Sequence, residues 1–157
     1  SYDAGAMFIH WAERNPWTTI AQELGIPTPN ESWGGGFQLF QNGQPVRTYR
    51  IALGFAPEGD KDRQGDGKTP EGEFRIDRRN ARSAFTLSLG LDYPQRDDVD
   101  RAAQGGYSPG GDIFIHGQPN ALPDGFKLKG DWTAGCVALT NTEMAEVWAV
   151  TPNSTLP

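Results

Sequence analysis

The chain has 157 residues, 36% of them apolar and 22% charged, with a net charge of −6. That length suits one domain with its own core. The acidic balance, without any Lys/Arg run, argues against a nucleic-acid partner, and the single cysteine, Cys136, excludes an intramolecular disulfide. High Gly and Pro (20 and 12 residues) point to a turn-rich, β-rich fold rather than a helical bundle. No apolar stretch approaches the length of a membrane span.

In residues 4–25, Met7, Phe8, Trp11, Ile20 and Leu24 fall at roughly helical spacing, interrupted at Asn15-Pro16, and predict two short helices. Residues 26–36 form a Pro/Gly/Asn-rich connector ending in Gly34-Gly35-Gly36. Residues 1–36 are therefore expected to be a helical extension and connector, and 37–157 the main domain. A hairpin is predicted over 37–55, turning at Asn42-Gly43. A polar loop over 57–72 leads to short strands at 73–76 and 85–91, and residues 92–111 read as irregular. Ile113-Phe114-Ile115 is typical of a buried strand, and a further short strand runs over 136–139. Thr140-Asn141-Thr142-Glu143 fits a capping box, with Met144, Val147 and Trp148 following at helical spacing, so 140–150 is the clearest helix. The fold class expected is mostly β with a few helices (α+β).

Two segments carry reactive side chains beside glycine at the edge of an apolar strand: Ile115-His116-Gly117 and Thr133-Ala134-Gly135-Cys136-Val137. A thiol is a weak nucleophile until it loses its proton, and an imidazole can accept that proton. The Gly135 and Cys136 amides are placed to bind a developing oxyanion, and the Gly117 carbonyl to hold the imidazole in one tautomer. Asp131 and Trp132 border the cysteine loop and are candidates, with Thr133 and Ala134, for lining a substrate cleft. The competing reading is bland: a lone Cys is usually a small buried hydrophobe, and a lone His a satisfied polar residue.

The His116-Gly117 pair and the Thr133-Ala134-Gly135-Cys136 block, twenty residues apart, resemble the signature of the L,D-transpeptidase catalytic domain, the YkuD family. Gly65-Asp66-Gly67-Lys68-Thr69-Pro70-Glu71-Gly72-Glu73-Phe74, Ser108-Pro109-Gly110-Gly111-Asp112-Ile113 and Gly135-Cys136-Val137-Ala138-Leu139-Thr140-Asn141 extend the similarity in the right order over about residues 37–157. The resemblance implies a β-sandwich or barrel-like catalytic domain acting on peptidoglycan stem peptides in the periplasm or elsewhere outside the cytoplasm, a leader having been removed or never present. It implies Cys136 as nucleophile on the carbonyl of a third, diaminoacid-type residue, His116 as base, Gly117 as orienting carbonyl and Gly135 with Cys136 as oxyanion donors. An amine acceptor, or a wall-attached protein, would resolve the thioester to a cross-link; water would make the enzyme a carboxypeptidase, amidase or endopeptidase. The sequence departs from many members at Ala134, where His is common, and at Ala138, where Arg or Asn is common. The helical stretch 4–25 has no counterpart in the family.

No cofactor or metal is expected. Asp60, Asp62, Gln64, Gly65 and Glu71 nearly fit a calcium loop, but interleaved basic residues and Pro70 disfavour it. Gly67-Lys68-Thr69 lacks the first glycine of a phosphate loop. Cys136, His116 and His10 lack zinc spacing, and His10 reads as structural. Arg75, Arg78, Arg79 and Arg82 read as an ordinary solvated face. Rival functions are a wall toxin delivered to a competitor and a non-catalytic wall-binding module.

Overall fold

Asn42 and Gly43 both adopt positive φ, 53° and 73°, the turn whose twist matches right-handed strands. They close the predicted hairpin between β2 (Gly35–Gln41) and β3 (Gln44–Ile51). The computed structural model describes residues 6–9 and 35–151. The other strands are β1 (Ala6–Ile9), β4 (Gly72–Asn80), β5 (Ser88–Leu91), β6 (Phe114–His116) and β7 (Val137–Ala138), in a five-stranded sheet of order β1-β4-β5-β6-β7. All its pairings are antiparallel except β6 with β7, which is parallel. Beyond β3 the chain crosses to the cysteine segment through bridges Ala52–Ala138 and Gly54–Thr133. The described part is α+β and mostly strand, as expected.

Two expectations are corrected. Ala6–Ile9 is a strand, not helix, with Met7 opposite Phe74 on β4. Four consecutive apolar residues suit either structure by periodicity, and pairing on β4 satisfies their backbone groups. The rest of the helix predicted over 4–25, with His10, lies outside the described residues. The stretch 92–111, expected to be irregular, contains helix α1 (Arg96–Gly105). Its sequence is polar and only Ala102 is buried, so the apolar periodicity that announces a helix is missing. Its ends supply the signal instead: Gln95 N–H donates to Asp98 Oδ2 at 2.9 Å, and Gly106 closes the helix at φ 73°.

Helix α2 (Asn141–Val150) follows the predicted box. The Thr140 hydroxyl accepts from Glu143 N–H at 3.3 Å, and the Glu143 carboxylate accepts from Thr140 N–H at 3.1 Å. Met144 and Val147 enter the core with Ile51 of β3, Leu89 and Leu91 of β5, and Ile115 of β6. Tyr49 on β3 donates to Glu146 on α2 at 3.0 Å. The core thus occupies one face of the main sheet, and Ser88, His116 and Ala138 lie on the opposite face of β5–β7.

Candidate functional site

Strand alternation decides which side chains meet. Ile115 and Val137 are opposite one another on β6 and β7, and both are fully buried in the core. Phe114, His116 and Ala138 therefore point to the other face, and so does Cys136, one residue before β7. His116 is opposite Ala138, which makes it the diagonal neighbour of Cys136. The Cys136 Sγ receives the Phe114 N–H at 3.4 Å and approaches the Asp112 carbonyl at 3.5 Å.

His116 is 4% exposed. Its Nδ1 is 2.7 Å from the Gly117 carbonyl. A carbonyl only accepts, so Nδ1 carries the hydrogen and Nε2 keeps its lone pair. Phe85 (4.5 Å between ring centroids, tilted) and Trp132 (5.8 Å, edge-on) enclose the imidazole. The Phe85-Thr86 turn is held in place by Thr86, a β-branched residue at φ 72°. Its N–H donates to Asn120 at 2.9 Å and its hydroxyl to Asn141 at 3.0 Å. Asn141 also accepts from Gln118 N–H at 2.8 Å, and a Cβ on Gly117 would come within 2.6 Å of the same Oδ1.

Burial lowers the pKa of His116 and outweighs the opposing bond to Gly117. Burial likewise pushes the Cys136 thiol up, against the pull of the Phe114 amide. Both directions favour a thiol beside a neutral imidazole over a preformed thiolate–imidazolium.

The loop before the cysteine is built from buried bonds. Thr133 is 4% exposed; its hydroxyl donates to the Cys136 carbonyl at 2.6 Å and accepts from Gly135 N–H at 3.1 Å. Thr133 thus shapes the loop rather than lining a cleft, and the Gly135 amide already has a partner. Gly135, at φ 137°, leaves room for the Lys68 carbonyl, which would be 2.7 Å from a Cβ there. A Cβ on Gly54 would be 2.0 Å from the Gly67 carbonyl. Asp131 is partly buried and accepts from Leu53 N–H at 2.8 Å; burial raises its pKa despite that bond. Trp132 packs on Ala52 and Ala138, and Ala134 is exposed.

Beneath this loop lies a buried ion pair. Lys61 is 3% exposed and donates to Asp66 at 2.7 Å. Asp66 also accepts from the backbone N–H groups of Asp62, Arg63 and Lys68. Burial alone would raise the Asp66 pKa, but Lys61 and these amides together hold it well below the usual carboxylate range. In the acidic loop that resembles a calcium site, Asp60 caps Glu71 N–H at 2.8 Å and Asp62 takes Tyr107 and Arg101. Among the described residues no cluster of His, Cys, Asp and Glu could hold a metal.

The profile of the L,D-transpeptidase catalytic domain, YkuD, matches residues 36–156. The chain belongs to that family. The L,D-transpeptidase domain is also similar to solved structures of Pgp2, the helical cell shape determining protein of Campylobacter jejuni. Identity is 30% over 70% of this chain (TM-score 0.54), and 28% over 75% of it for the K307A mutant (TM-score 0.58). Bd1075 of Bdellovibrio bacteriovorus matches at 20% identity and TM-score 0.47, over 71% of this chain and 37% of its own. The domain spans only 36% and 40% of the two Pgp2 chains. A comparison with curated proteins gave no match. Within the L,D-transpeptidase domain, the sequence reading missed Phe85, the Lys61–Asp66 pair and the bracing role of Asn141. A buried lysine leaves no periodic trace, and Phe85 reads simply as a strand residue. Among the described residues no helix is long and apolar enough to cross a membrane.

Proposed function

We propose that the domain is a cysteine-dependent acyl-transfer enzyme acting on peptidoglycan stem peptides outside the cytoplasm. The observation that carries this reading is the His116 tautomer: with Nδ1–H bound to Gly117, the basic Nε2 is left for the thiol on the same sheet face. As Sγ attacks the peptide carbonyl, its proton passes to Nε2 and the S–C bond forms. The Cys136 amide donates to the oxyanion, and the Gly135 amide joins it on release from Thr133. The oxyanion collapses, the C–N bond breaks, and the imidazolium protonates the departing amine. An incoming amine then attacks the thioester, gives its proton to His116 and expels the thiolate, which regains the proton. With an amine the product is a cross-link or an exchanged terminal residue; with water it is a trimmed stem.

Purified stem tetrapeptides and muropeptides, incubated with the protein and followed by mass spectrometry, test this reading. Cross-linked dimers or exchanged termini establish transpeptidation, and trimmed monomers alone establish hydrolysis. A carbapenem is expected to add its ring-opened mass to Cys136 and not to the Cys136→Ala variant. An unmodified wild-type mass and intact peptides would remove the acyl-transfer reading.

A further inference from the structure

Stability alone does not account for a lysine buried as Lys61 is. A buried ion pair holds a fold no better than an apolar pair of the same volume, and either charge left alone is costly. What the pair supports is more telling. Lys61 Nζ donates to the Arg63 carbonyl at 3.0 Å as well as to Asp66, and Asp66 gathers the amides of Asp62, Arg63 and Lys68. The 61–68 loop therefore turns around the ammonium. At the end of that turn the Lys68 carbonyl is the group against which Gly135 is packed. On its other side Lys61 meets the stretch that leads to β6. A Cβ on Gly110 would be 3.4 Å from Lys61 Cε and 3.3 Å from Gln64 Cα, and Gln64 N–H donates to the Ser108 carbonyl at 2.9 Å. That stretch ends at Asp112, whose carbonyl lies 3.5 Å from Cys136 Sγ. One segment thus touches the cysteine loop at Gly135, another touches the sulfur, and Lys61 joins the two.

The titratable groups around the sulfur come from three segments. The stretch before β6 brings Asp112, with Arg78 of β4 3.7 Å from its carboxylate. Strand β6 brings His116, and the 61–68 loop brings Lys61 with Asp66. Burial raises the thiol pKa and Asp112 adds to the rise, whereas Lys61 pulls it down. The Asp112 side chain is 91% exposed and that of Lys61 3%. Solvent and salt screen the carboxylate far more than the ammonium. The cation is also held in place by its two bonds, so its field at the sulfur does not depend on a mobile side chain.

We propose that Lys61 is a positioning residue for the nucleophile: its buried ammonium, anchored on Asp66 beneath the cysteine loop, stabilises the negative sulfur left when the thiol proton departs. Lys61 acts through Cys136 and touches no substrate atom. The proton still passes to His116 Nε2, and the sulfur still forms its bond to the peptide carbonyl; the lysine neither gives nor takes a proton. The consequence for turnover rests on the acyl-transfer reading. The consequence for the thiol does not, and it can be measured without substrate.

The test follows iodoacetamide alkylation of Cys136 against pH in the wild-type chain, Lys61→Met and Lys61→Met/Asp66→Asn. The double variant strands no buried charge, so it keeps the test open if urea titration shows the single variant to be unfolded. Arg96→Gln, on α1 with a side chain 92% exposed, controls for the change in net charge. Without Lys61 the alkylation midpoint is expected to move to higher pH, and the rate at pH 7 to fall about three- to tenfold. The alkaline plateau, where every sulfur is already thiolate, should match wild type. Arg96→Gln should change neither. Carbapenem acylation at pH 7 should slow in the same proportion as alkylation. A lower plateau with an unmoved midpoint would make the lysine merely structural, and that result or an unchanged profile overturns the proposal. A moved midpoint in a protein that forms no carbapenem adduct and turns over no peptide would sink the acyl-transfer reading and leave the effect of Lys61 on the thiol standing.

Discussion

At the scale of single residues, the proposed acyl transfer needs two neutral groups, the Cys136 thiol and the His116 imidazole, to meet at the moment of attack. Because burial lowers the His116 pKa, the imidazole stays basic to lower pH than an ordinary histidine. The acid limb of kcat/KM for acylation is therefore expected below the ordinary 6.5. Because burial raises the thiol pKa, iodoacetamide alkylation without substrate should climb only at alkaline pH, above a free cysteine control. An alkylation profile that plateaus near neutrality would indicate a preformed ion pair instead. Gly135→Ala puts a Cβ against the Lys68 carbonyl at φ 137°. Urea titration should read a loss of about 1–3 kcal/mol, with acylation falling further as the cysteine loop shifts.

At the scale of elements, caps and buried charges hold the pieces that carry the site. Thr140→Ala removes the acceptor for Glu143 N–H, and equilibrium unfolding should lose about 1 kcal/mol. Asp66→Asn strands the Lys61 charge, which is 3% exposed. The expected cost is about 3–5 kcal/mol, and the double variant Lys61→Met/Asp66→Asn should recover part of it. Much of this level was legible in the sequence. Asn42-Gly43 announced the hairpin, Thr140 and Glu143 announced α2, and the apolar Ile113-Phe114-Ile115 run announced β6. Helix α1 was hidden because its ten residues bury only Ala102, so tertiary contacts and caps replace periodicity. The strand at Ala6–Ile9 was hidden because four apolar residues carry no period of their own; the β4 edge decides their state. Cys136, His116 and Gly117 stood out in the sequence because nucleophilic chemistry restricts residue type, and folding puts Cys136 and His116 on one face of the sheet. Thr133 and Asp131 were found as neighbours, but their bonds to the Gly135 and Leu53 backbones arise only on folding.

For the whole molecule, titration links the site to stability. His116 has a lowered folded pKa, so the unfolded chain takes up the proton first as pH falls below 6.5. Stability should decline over that window down to the folded pKa, and His116→Gln should flatten the decline. Asp66 acts in the same direction at lower pH: its stabilisation is present above the ordinary carboxylate pKa and lost as acid approaches its depressed folded value. Asp131, with its pKa raised by burial, opposes both, its folded form gaining relative stability as it protonates. Urea midpoints collected from pH 8 to pH 3 would reveal these slopes. A different constraint comes from the contact of Gly54 with Gly67, and of Gly135 with Lys68, where main chain meets main chain without intervening side chains. Three stretches distant in sequence are keyed to one another there like teeth cut to a common gauge. A side chain added on any one stretch displaces the others, so a redesigned nucleophile loop would have to be transplanted together with both of its mates.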